Sequence, residues 1–251
     1  MNLKFYIIRI KDNEHSTKAA QRCYDSIEKF YPHGHISDFK SMITFFDAIT
    51  PKDNPKKILK ENGIRNLKGF IEPYSRWDNV ISAFTSHFSI WKESLKNNQD
   101  CFIFEHDAVA IDALPVLLVE KILSDEPNAP KKRKLTPNPI LGDIVNIGRP
   151  SYGKFNTPAN IGINPLTSKR YFPGAHAYFV RPKGAQQLID VAKREAGPTD
   201  VFINYRRFNN LQEWYPWPVI AKDNFSTIQN VNGCQAKHGF NPERYKLVNV
   251  R

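Results

Sequence analysis

Long hydrophobic runs are missing from this chain of 251 residues. A membrane-spanning helix needs about 18 or more consecutive apolar residues, and no segment approaches that length. The apolar run at residues 1–9 is too short and too charged for a secretory signal peptide. We therefore expect a cytoplasmic protein without a transmembrane segment. A peripheral contact with an acidic membrane surface is compatible with that expectation.

Cysteine is scarce as well: the chain has three, Cys23, Cys101 and Cys234. No two of them have the spacing of a metal site. Cys23 and Cys101 lie in apolar patterns, which predicts buried free thiols rather than disulfides. Free thiols are in turn compatible with a reducing compartment.

Acidic residues are outnumbered by basic ones, and the formal net charge is +11. Such an excess favours an anionic partner, such as nucleic acid, a phosphorylated glycan or an acidic membrane surface. Composition does not separate these partners from a merely basic surface. Four consecutive basic residues, 131–134, lie in a proline-rich segment at 125–139. We expect this segment to be an exposed loop, which is either solvated or in contact with phosphates.

No glycine-rich phosphate loop follows the first predicted strand, so the usual dinucleotide-binding fingerprint is absent. That strand, 5–8, precedes a helix that Ser16 could cap and a second strand at 43–46. This β-α-β order predicts parallel strands with a right-handed crossover.

Strands and helices continue to alternate along the chain. Strands are predicted at 101–104, 143–147 and 177–180, and helices near 56–60, 80–95, 114–123 and 182–192. There is no internal repeat and no linker. We therefore predict a single α/β domain over 1–251, with a Rossmann-like, mixed and mostly parallel sheet flanked by helices. The basic, proline-rich loop at 125–139 is an insertion in it.

The stretch 101–109 ends a buried strand in two carboxylates, Glu105 and Asp107. Ligands of parallel α/β sheets bind just beyond the carboxyl ends of the strands. Two hard oxygen ligands there suit Mg²⁺ or Mn²⁺, which bind carboxylates together with substrate phosphates. Without its context, such a pair is more often a solvated acidic turn.

The context is a series of short motifs in a fixed order. They are Phe5-Tyr6-Ile7-Ile8 with the helix at Ser16, Phe45-Phe46-Asp47-Ala48, Ser86-His87-Phe88-Ser89-Ile90-Trp91, Phe104-Glu105-His106-Asp107-Ala108, Gly174-Ala175-His176-Ala177-Tyr178 with Lys183-Gly184-Ala185, and Thr199-Asp200-Val201-Phe202. Over roughly residues 3–230 this series resembles glycosyltransferase family 25, which includes bacterial lipopolysaccharide-biosynthesis enzymes and collagen β-galactosyltransferases. Two departures are His106, where the family has an acid, and Ala83, where cysteine is usual.

The resemblance implies a GT-A type glycosyltransferase fold, a UDP-sugar donor, a divalent Mn²⁺ or Mg²⁺ ion and inversion at the anomeric carbon. Asp107 and Glu105 would hold the metal, and His238 is a third candidate ligand by position only. The residues expected on the donor side are Ile8, Arg9, Ser86, His87, Glu105, His106 and His176.

An inverting transfer needs a general base for the acceptor hydroxyl. Asp200 is the candidate, in the element that resembles the family's Asp-x-Phe motif; the alternative is that it caps a short helix. His87 and His176 could equally be satisfied core histidines. The aromatic residues at 214–217 could stack an acceptor or pack in the core.

Two functions remain open at this stage. The first is a metal-dependent, inverting transferase of a hexose or pentose, acting on a hydroxyl of an anionic acceptor: a lipopolysaccharide or other glycan, or a hydroxylated base of phage DNA. The alternative is a nucleic-acid-binding or adaptor protein on a catalytically inactive glycosyltransferase scaffold. His106 permits the alternative, whereas the retention of Glu105 and Asp107 argues against it.

Overall fold

The structure is a computed structural model that describes residues 2–30, 39–73, 75–115, 142–151, 153–222, 225–229, 246–248 and 250. Within these ranges no helix is both long and apolar enough to cross a membrane. Several predicted features lie outside the described residues: most of the helix at 114–123, the loop at 125–139 with its basic run, Cys234 and His238.

The predicted β-α-β start is confirmed. Strand β1 (Leu3–Arg9), helix α1 (Glu14–Phe30) and strand β2 (Ile43–Asp47) follow in order, and β1 pairs with β2 in parallel. The predicted cap is wrong, because α1 begins at Glu14 and the side chain of Asn13 accepts a hydrogen bond from Ser16 N at 2.9 Å. Ser16 Oγ instead accepts from Ile10 N at 2.8 Å, which fixes the turn before the helix.

The middle of the chain contains two short helices, α2 (Phe39–Met42) and α3 (Pro55–Glu61), and then the long helix α4 (Trp77–Lys96). Helix α4 leads into strand β3 (Asp100–Glu105), as predicted, and β3 pairs in parallel with β1. The helix forms because Val80, Phe84, Phe88 and Trp91 recur on one face and are all buried.

The second half of the chain is richer in strands than its sequence suggests. Its helices are α5 (Pro182–Ala192) and α6 (Thr199–Phe202). Its strands are β4 (Ala108–Ala110), β5 (Ile144–Asn146), β6 (Gly162–Pro165), β7 (Ala177–Val180), β8 (Gln212–Tyr215), β9 (Val219–Ala221), β10 (Phe225–Ser226) and β11 (Lys246–Leu247). Only β5, β7 and α5, with the short element at α6, follow from the sequence pattern.

The described strands build a central mixed sheet in the order β2-β1-β3-β7-β5-β8-β6. Strand β7 runs antiparallel to both β3 and β5, and β6 runs antiparallel to β8. The predicted α/β fold with a mixed sheet and flanking helices is therefore confirmed.

Alternate side chains of each strand enter two different cores, as the two-residue period of a strand requires. Tyr6 and Ile8 of β1 join α4 and α5 on one face, whereas Phe5 and Ile7 join α1 on the other. In the described part of the chain, both faces of the central strands are thus packed against helices.

The prediction of buried free thiols is confirmed for Cys23 and Cys101. Burial raises the pKa of both thiols, that of Cys101 to about 12. Neither thiol has the exposure or the lowered pKa that makes a cysteine reactive.

Candidate active site

The carboxyl ends of β1 and β3 lie side by side, with Ile8 paired to Glu105 in the sheet register. The end of β3 opens into a cleft of ≈ 390 Å³, which we call the main cleft. Ligand sites typically have volumes of about 300–1,000 Å³. Among its lining residues are five that the sequence singled out: Glu105, His106, Asp107, His176 and Asp200.

The two predicted metal-ligating acids occupy the end of β3 and the turn after it. Glu105 is the last residue of the strand and Asp107 precedes β4, and both are half-buried. The turn is held from both sides, because Glu105 N donates to His176 O at 2.9 Å and Lys222 N donates to Asp107 O at 2.8 Å. The carboxylates are therefore presented to the main cleft by fixed backbone.

Within the described ranges, no three His, Cys, Asp or Glu side chains form a group that could hold a metal ion by themselves. Glu105 and Asp107 provide two carboxylates at one cleft. This set fits Mg²⁺ or Mn²⁺, which complete their coordination with water and substrate phosphates. His238, the predicted third ligand, lies outside the described residues.

His87 is a buried histidine that reaches the site from α4. Its Nε2 lies 3.1 Å from Glu105 Oε1, and its Nδ1 lies 2.9 Å from Tyr178 Oη. Burial lowers the pKa of His87 to about 3, against a smaller opposing effect of Asp200, so the ring is neutral at neutral pH. A neutral ring has one N–H, and the carboxylate of Glu105 can only accept. We therefore assign the proton to Nε2, which donates to Glu105.

The other side of the His87 ring completes a chain of hydrogen bonds. Trp91 Nε1 donates to Tyr178 Oη at 2.9 Å, so the tyrosine hydroxyl is left to donate its own hydrogen to His87 Nδ1. Burial raises the pKa of Tyr178 well above its ordinary value, so that hydrogen stays in place. The chain Trp91–Tyr178–His87 thus fixes the orientation of Glu105 from inside the core.

His106, the departure from the acidic motif, is turned toward α1. Its Nδ1 lies 3.1 Å from Ser16 Oγ, and its ring stacks on Phe225 with centroids 5.2 Å apart. Because Ser16 Oγ already accepts from Ile10 N, its hydrogen is available to His106. His106 therefore lies in the wall of the cleft, held between α1 and β10.

A smaller space, the inner pocket, continues from the main cleft beneath β1 and α4. Its walls are Ile8, Ile10, the segment 48–51, Asn79, Ser82 and Ser86, and it shares Glu105 and His106 with the main cleft. Ser86 Oγ donates to Ser82 O at 3.0 Å and accepts from Ile49 N at 2.9 Å. Ser86 thus fixes the loop after β2 against α4.

Arg9, also expected on the donor side, lines neither the main cleft nor the inner pocket, although its neighbours Ile8 and Ile10 line the inner pocket. Its Nε donates to Asp47 Oδ1 at 3.0 Å, and its guanidinium lies 4.8 Å from the centre of the Phe45 ring. The Asp47 of the Phe-Phe-Asp-Ala motif therefore contacts Arg9 at the ends of β1 and β2.

His176 is buried in the floor of the main cleft, where two glycines make room for it. A Cβ added at Gly148 would come within 2.6 Å of His176 Nε2, and one added at Gly174 within 3.1 Å of Nδ1. The ring orientation is thus defined by close packing.

Asp200 is the second residue of α6 and lines the main cleft. The cap position of this short helix belongs to Pro198, and no side chain caps it. Asp200 Oδ1 accepts a hydrogen bond from Val201 N at 2.9 Å. This leaves Asp200 oriented by its own backbone, with its carboxylate at the same cleft as Glu105 and Asp107.

Several residues at the site have no signal in the sequence. The segment 225–229 crosses the cleft and joins the start of α4, because Arg76 N donates to Ile228 O at 2.7 Å and Ser75 bridges to Gln229. Thr199 and Tyr171 also line the main cleft. Of the aromatic residues at 214–217, Trp217 is buried and its Nε1 donates to Glu213 Oε2 at 3.2 Å, which is a packing role.

Sequence comparisons relate the chain to known proteins. Residues 2–203 match the profile of the family described as glycosyltransferase family 25 (LPS biosynthesis protein). A protein of Aedes aegypti named a glycosyltransferase 25 family member is 20% identical over 196 residues. That match covers 71% of this chain and 30% of the relative, so the chain spans less than a third of the relative's length.

Proposed function

Because the chain belongs to glycosyltransferase family 25, and is therefore a glycosyltransferase, we propose that it transfers a sugar from a UDP-sugar, with inversion, to a hydroxyl of an anionic acceptor. One observation carries this proposal: the carboxylates of Glu105, Asp107 and Asp200 line a single cleft at the carboxyl ends of β1 and β3. An inverting transfer needs both a site for the leaving diphosphate and a base on the acceptor side.

The nucleotide is assigned to the inner pocket together with the adjoining part of the main cleft, because the inner pocket alone, at ≈ 70 Å³, is too small for it. The walls of the inner pocket are mainly apolar, from Ile8, Ile10 and Ile49, with the polar groups of Asn79 and Ser82 among them. Apolar walls with a few fixed polar groups suit a flat base and a ribose. Since Glu105 and His106 line both spaces, a nucleotide bound there would direct its diphosphate toward the acidic turn.

Asp107 and Glu105 are proposed to hold Mn²⁺ or Mg²⁺ in the main cleft. The ion would supply Lewis-acid stabilisation of the charge that develops on the diphosphate. The residues of the chain contribute orientation: His87 Nε2 donates to Glu105 and keeps that carboxylate in one position. A carboxylate fixed in this way does not have to reorganise as the reaction proceeds.

Asp200 is proposed as the general base. Its carboxylate would accept the proton of the acceptor hydroxyl as that oxygen attacks the anomeric carbon from the face opposite the diphosphate. It lines the main cleft, as Glu105 and Asp107 do, and only half of it is buried, so an acceptor can approach. An inactive scaffold would have no reason to keep Glu105, Asp107 and Asp200 at one cleft, which disfavours the adaptor alternative.

The test is mass spectrometry of acceptors after incubation with UDP-sugars and Mn²⁺. The acceptor panel contains a lipopolysaccharide core oligosaccharide, an oligodeoxynucleotide with hydroxymethylated bases, and a neutral oligosaccharide. We expect one anionic acceptor to gain the mass of one hexose or pentose. Transfer to the neutral oligosaccharide alone would refute the anionic acceptor, and transfer from another nucleotide sugar but no UDP-sugar would refute the donor.

A further inference from the structure

A second cleft of ≈ 480 Å³ adjoins the main cleft. We propose that this side cleft, formed by the segments 154–156 and 166–171 with Tyr205, binds an acidic sugar unit of the acceptor, one that carries a phosphate or a carboxylate. The inference rests on the proposed function, because an acceptor exists only if the chain transfers a sugar. It adds the chemical class of the acceptor and the surface that recognises it.

The charge of the side cleft is of one sign. Lys154, Lys169 and Arg170 line it, and none of the lining residues that the structure describes is acidic. Two of the cations lie over aromatic rings: Lys169 Nζ is 5.5 Å from the centre of the Tyr171 ring, and Arg170 Cζ is 5.9 Å from that of Tyr205. Cations held over aromatic faces restrict where an anionic group can bind.

The aromatic side chains give the side cleft an apolar surface on which a sugar ring can pack. Phe155, Tyr171 and Tyr205 all line it. Aromatic rings bury the apolar face of a ligand, and a tyrosine hydroxyl can pair with polar groups at its edge. A wall of basic and aromatic residues therefore matches a pyranose ring with a negative substituent better than it matches a simple anion.

The walls of the side cleft are fixed to one another by the backbone. Asn156 N donates to Ser168 O at 3.0 Å, and Tyr205 N donates to Arg170 O at 3.1 Å. Behind the wall lies Glu213, which is fully buried and accepts from Thr167 N at 2.7 Å and Ser168 N at 2.8 Å. The buried carboxylate thus organises the loop, and a site formed in advance loses less entropy on binding.

Ser168 supplies an independent indication of a ligand. Its side chain is 3% exposed, it lines the side cleft, and its Oγ makes no hydrogen bond to any residue in the described ranges. A buried hydroxyl without a partner is costly, and such groups usually have one. The hydroxyl oxygen has almost no exposed surface, so an oxygen of a bound sugar or phosphate would provide that partner once the serine side chain turns toward the side cleft.

The side cleft is also placed correctly for an acceptor. Tyr171 lines both the side cleft and the main cleft. It forms a bridge with Asn204, which follows α6 and its base Asp200 closely in the chain. A sugar unit held in the side cleft would therefore place the next unit, with its free hydroxyl, in front of Asp200.

The experiment measures binding of glucose 6-phosphate, glucuronate and glucose to the full chain by calorimetry at low salt, without donor. We expect the acidic sugars to bind and glucose not to bind measurably. Lys154→Ala/Arg170→Ala should weaken binding by roughly tenfold or more, since each lost charged contact is costly. Arg65→Ala/Lys96→Ala removes the same two residue types from exposed positions outside the side cleft and should leave binding unchanged. Ser168→Ala should weaken it about fivefold.

Equal binding of glucose, or a double variant that binds like the wild type, would overturn the inference. A single-stranded oligodeoxynucleotide that binds at the side cleft in preference to both acidic sugars would overturn the carbohydrate assignment. Release of UDP from UDP-sugars by the wild type separates the two proposals. Release without acidic-sugar binding refutes the side cleft, whereas acidic-sugar binding without release supports the side cleft and refutes the UDP-sugar donor.

Discussion

Asp200 is the residue on which the chemical step depends in this account. Its carboxylate lines the main cleft but is not the cap of α6, so its type is not explained by helix formation. Asp200→Asn keeps the size and the oxygen that accepts from Val201 N. We expect kcat to fall by about 10²–10⁴-fold, the usual contribution of a general base, with little change in donor affinity.

Two quantities are measured for Asp200→Asn: the rate of steady-state sugar transfer, and the affinity for UDP by calorimetry. Asp190→Asn, the same change at an exposed site on α5, is the matched control. Near-normal turnover of Asp200→Asn would show that another group takes the proton.

The buried ring of His87 should make the free energy of unfolding depend on pH. Its pKa is about 3 in the folded protein because the side chain is buried, whereas an unfolded histidine has a pKa near 6.5. Between these values the unfolded state binds the proton and the folded state does not, so stability falls as pH decreases from about 6.5. This group should account for about 2 kcal/mol of lost stability between pH 7 and 5.

Urea denaturation at several pH values, in EDTA, measures this effect. His87→Gln should flatten the dependence of the unfolding free energy on pH in that window, whereas His15→Gln, at an exposed position of α1, is the matched substitution. An unchanged slope in His87→Gln would contradict the assignment of a neutral, buried ring.

Among the elements, α5 packs unusually close to the chain before β5, and Gly184 makes this possible. A Cβ at this position would overlap Asp143 O, a backbone atom that cannot move aside. Replacing glycine in a helix normally adds about 0.5–1 kcal/mol of stability, but overpacking costs about 1–3 kcal/mol. We expect Gly184→Ala to destabilise the protein by about 1–2 kcal/mol in urea denaturation.

Asp190→Ala, an exposed change on the same helix, should stay within about 0.5 kcal/mol. A Gly184→Ala variant as stable as the wild type would mean that α5 can move away from Asp143 at little cost.

The elements predicted correctly are those whose pattern is contained in the local sequence. The repeat of apolar residues gives α1, α4 and α5, and short apolar runs give β1, β2, β3 and β7. Strands such as β4, β9 and β10 have two or three residues and exist through pairing with distant segments, which a local pattern does not contain. The N-cap at Ser16 was wrong because a better cap, Asn13, stands three residues earlier.

The distinction between local patterns and contacts of distant segments also applies to the candidate site. Glu105 and Asp107 could be predicted because they directly follow a recognisable buried strand. The partners of His87 could not, since Tyr178 lies 91 residues away in the chain. The segment 225–229 is short and mixes apolar and polar residues without a period, and its contacts with the start of α4 place it at the cleft.

At the scale of the whole molecule, one edge of the sheet carries the candidate active site. Strands β1 and β3 run parallel and end together, while β7 enters antiparallel beside β3 and brings His176 to the same edge. Helix α6 brings Asp200 to the main cleft. The proposed transfer reaction therefore requires that the acidic turn after β3 act on the donor diphosphate through a divalent ion.

Release of UDP from UDP-sugars tests this claim most directly, measured for the wild type in Mn²⁺, for the wild type in EDTA, and for Asp107→Ala in Mn²⁺. Asp112→Ala, an exposed acid shortly after β4, is the matched control. The account predicts release by the wild type and by Asp112→Ala in Mn²⁺, and loss of release in EDTA and in Asp107→Ala, with the folded state of each variant verified by thermal melting. Full release in EDTA, or by Asp107→Ala, would contradict it.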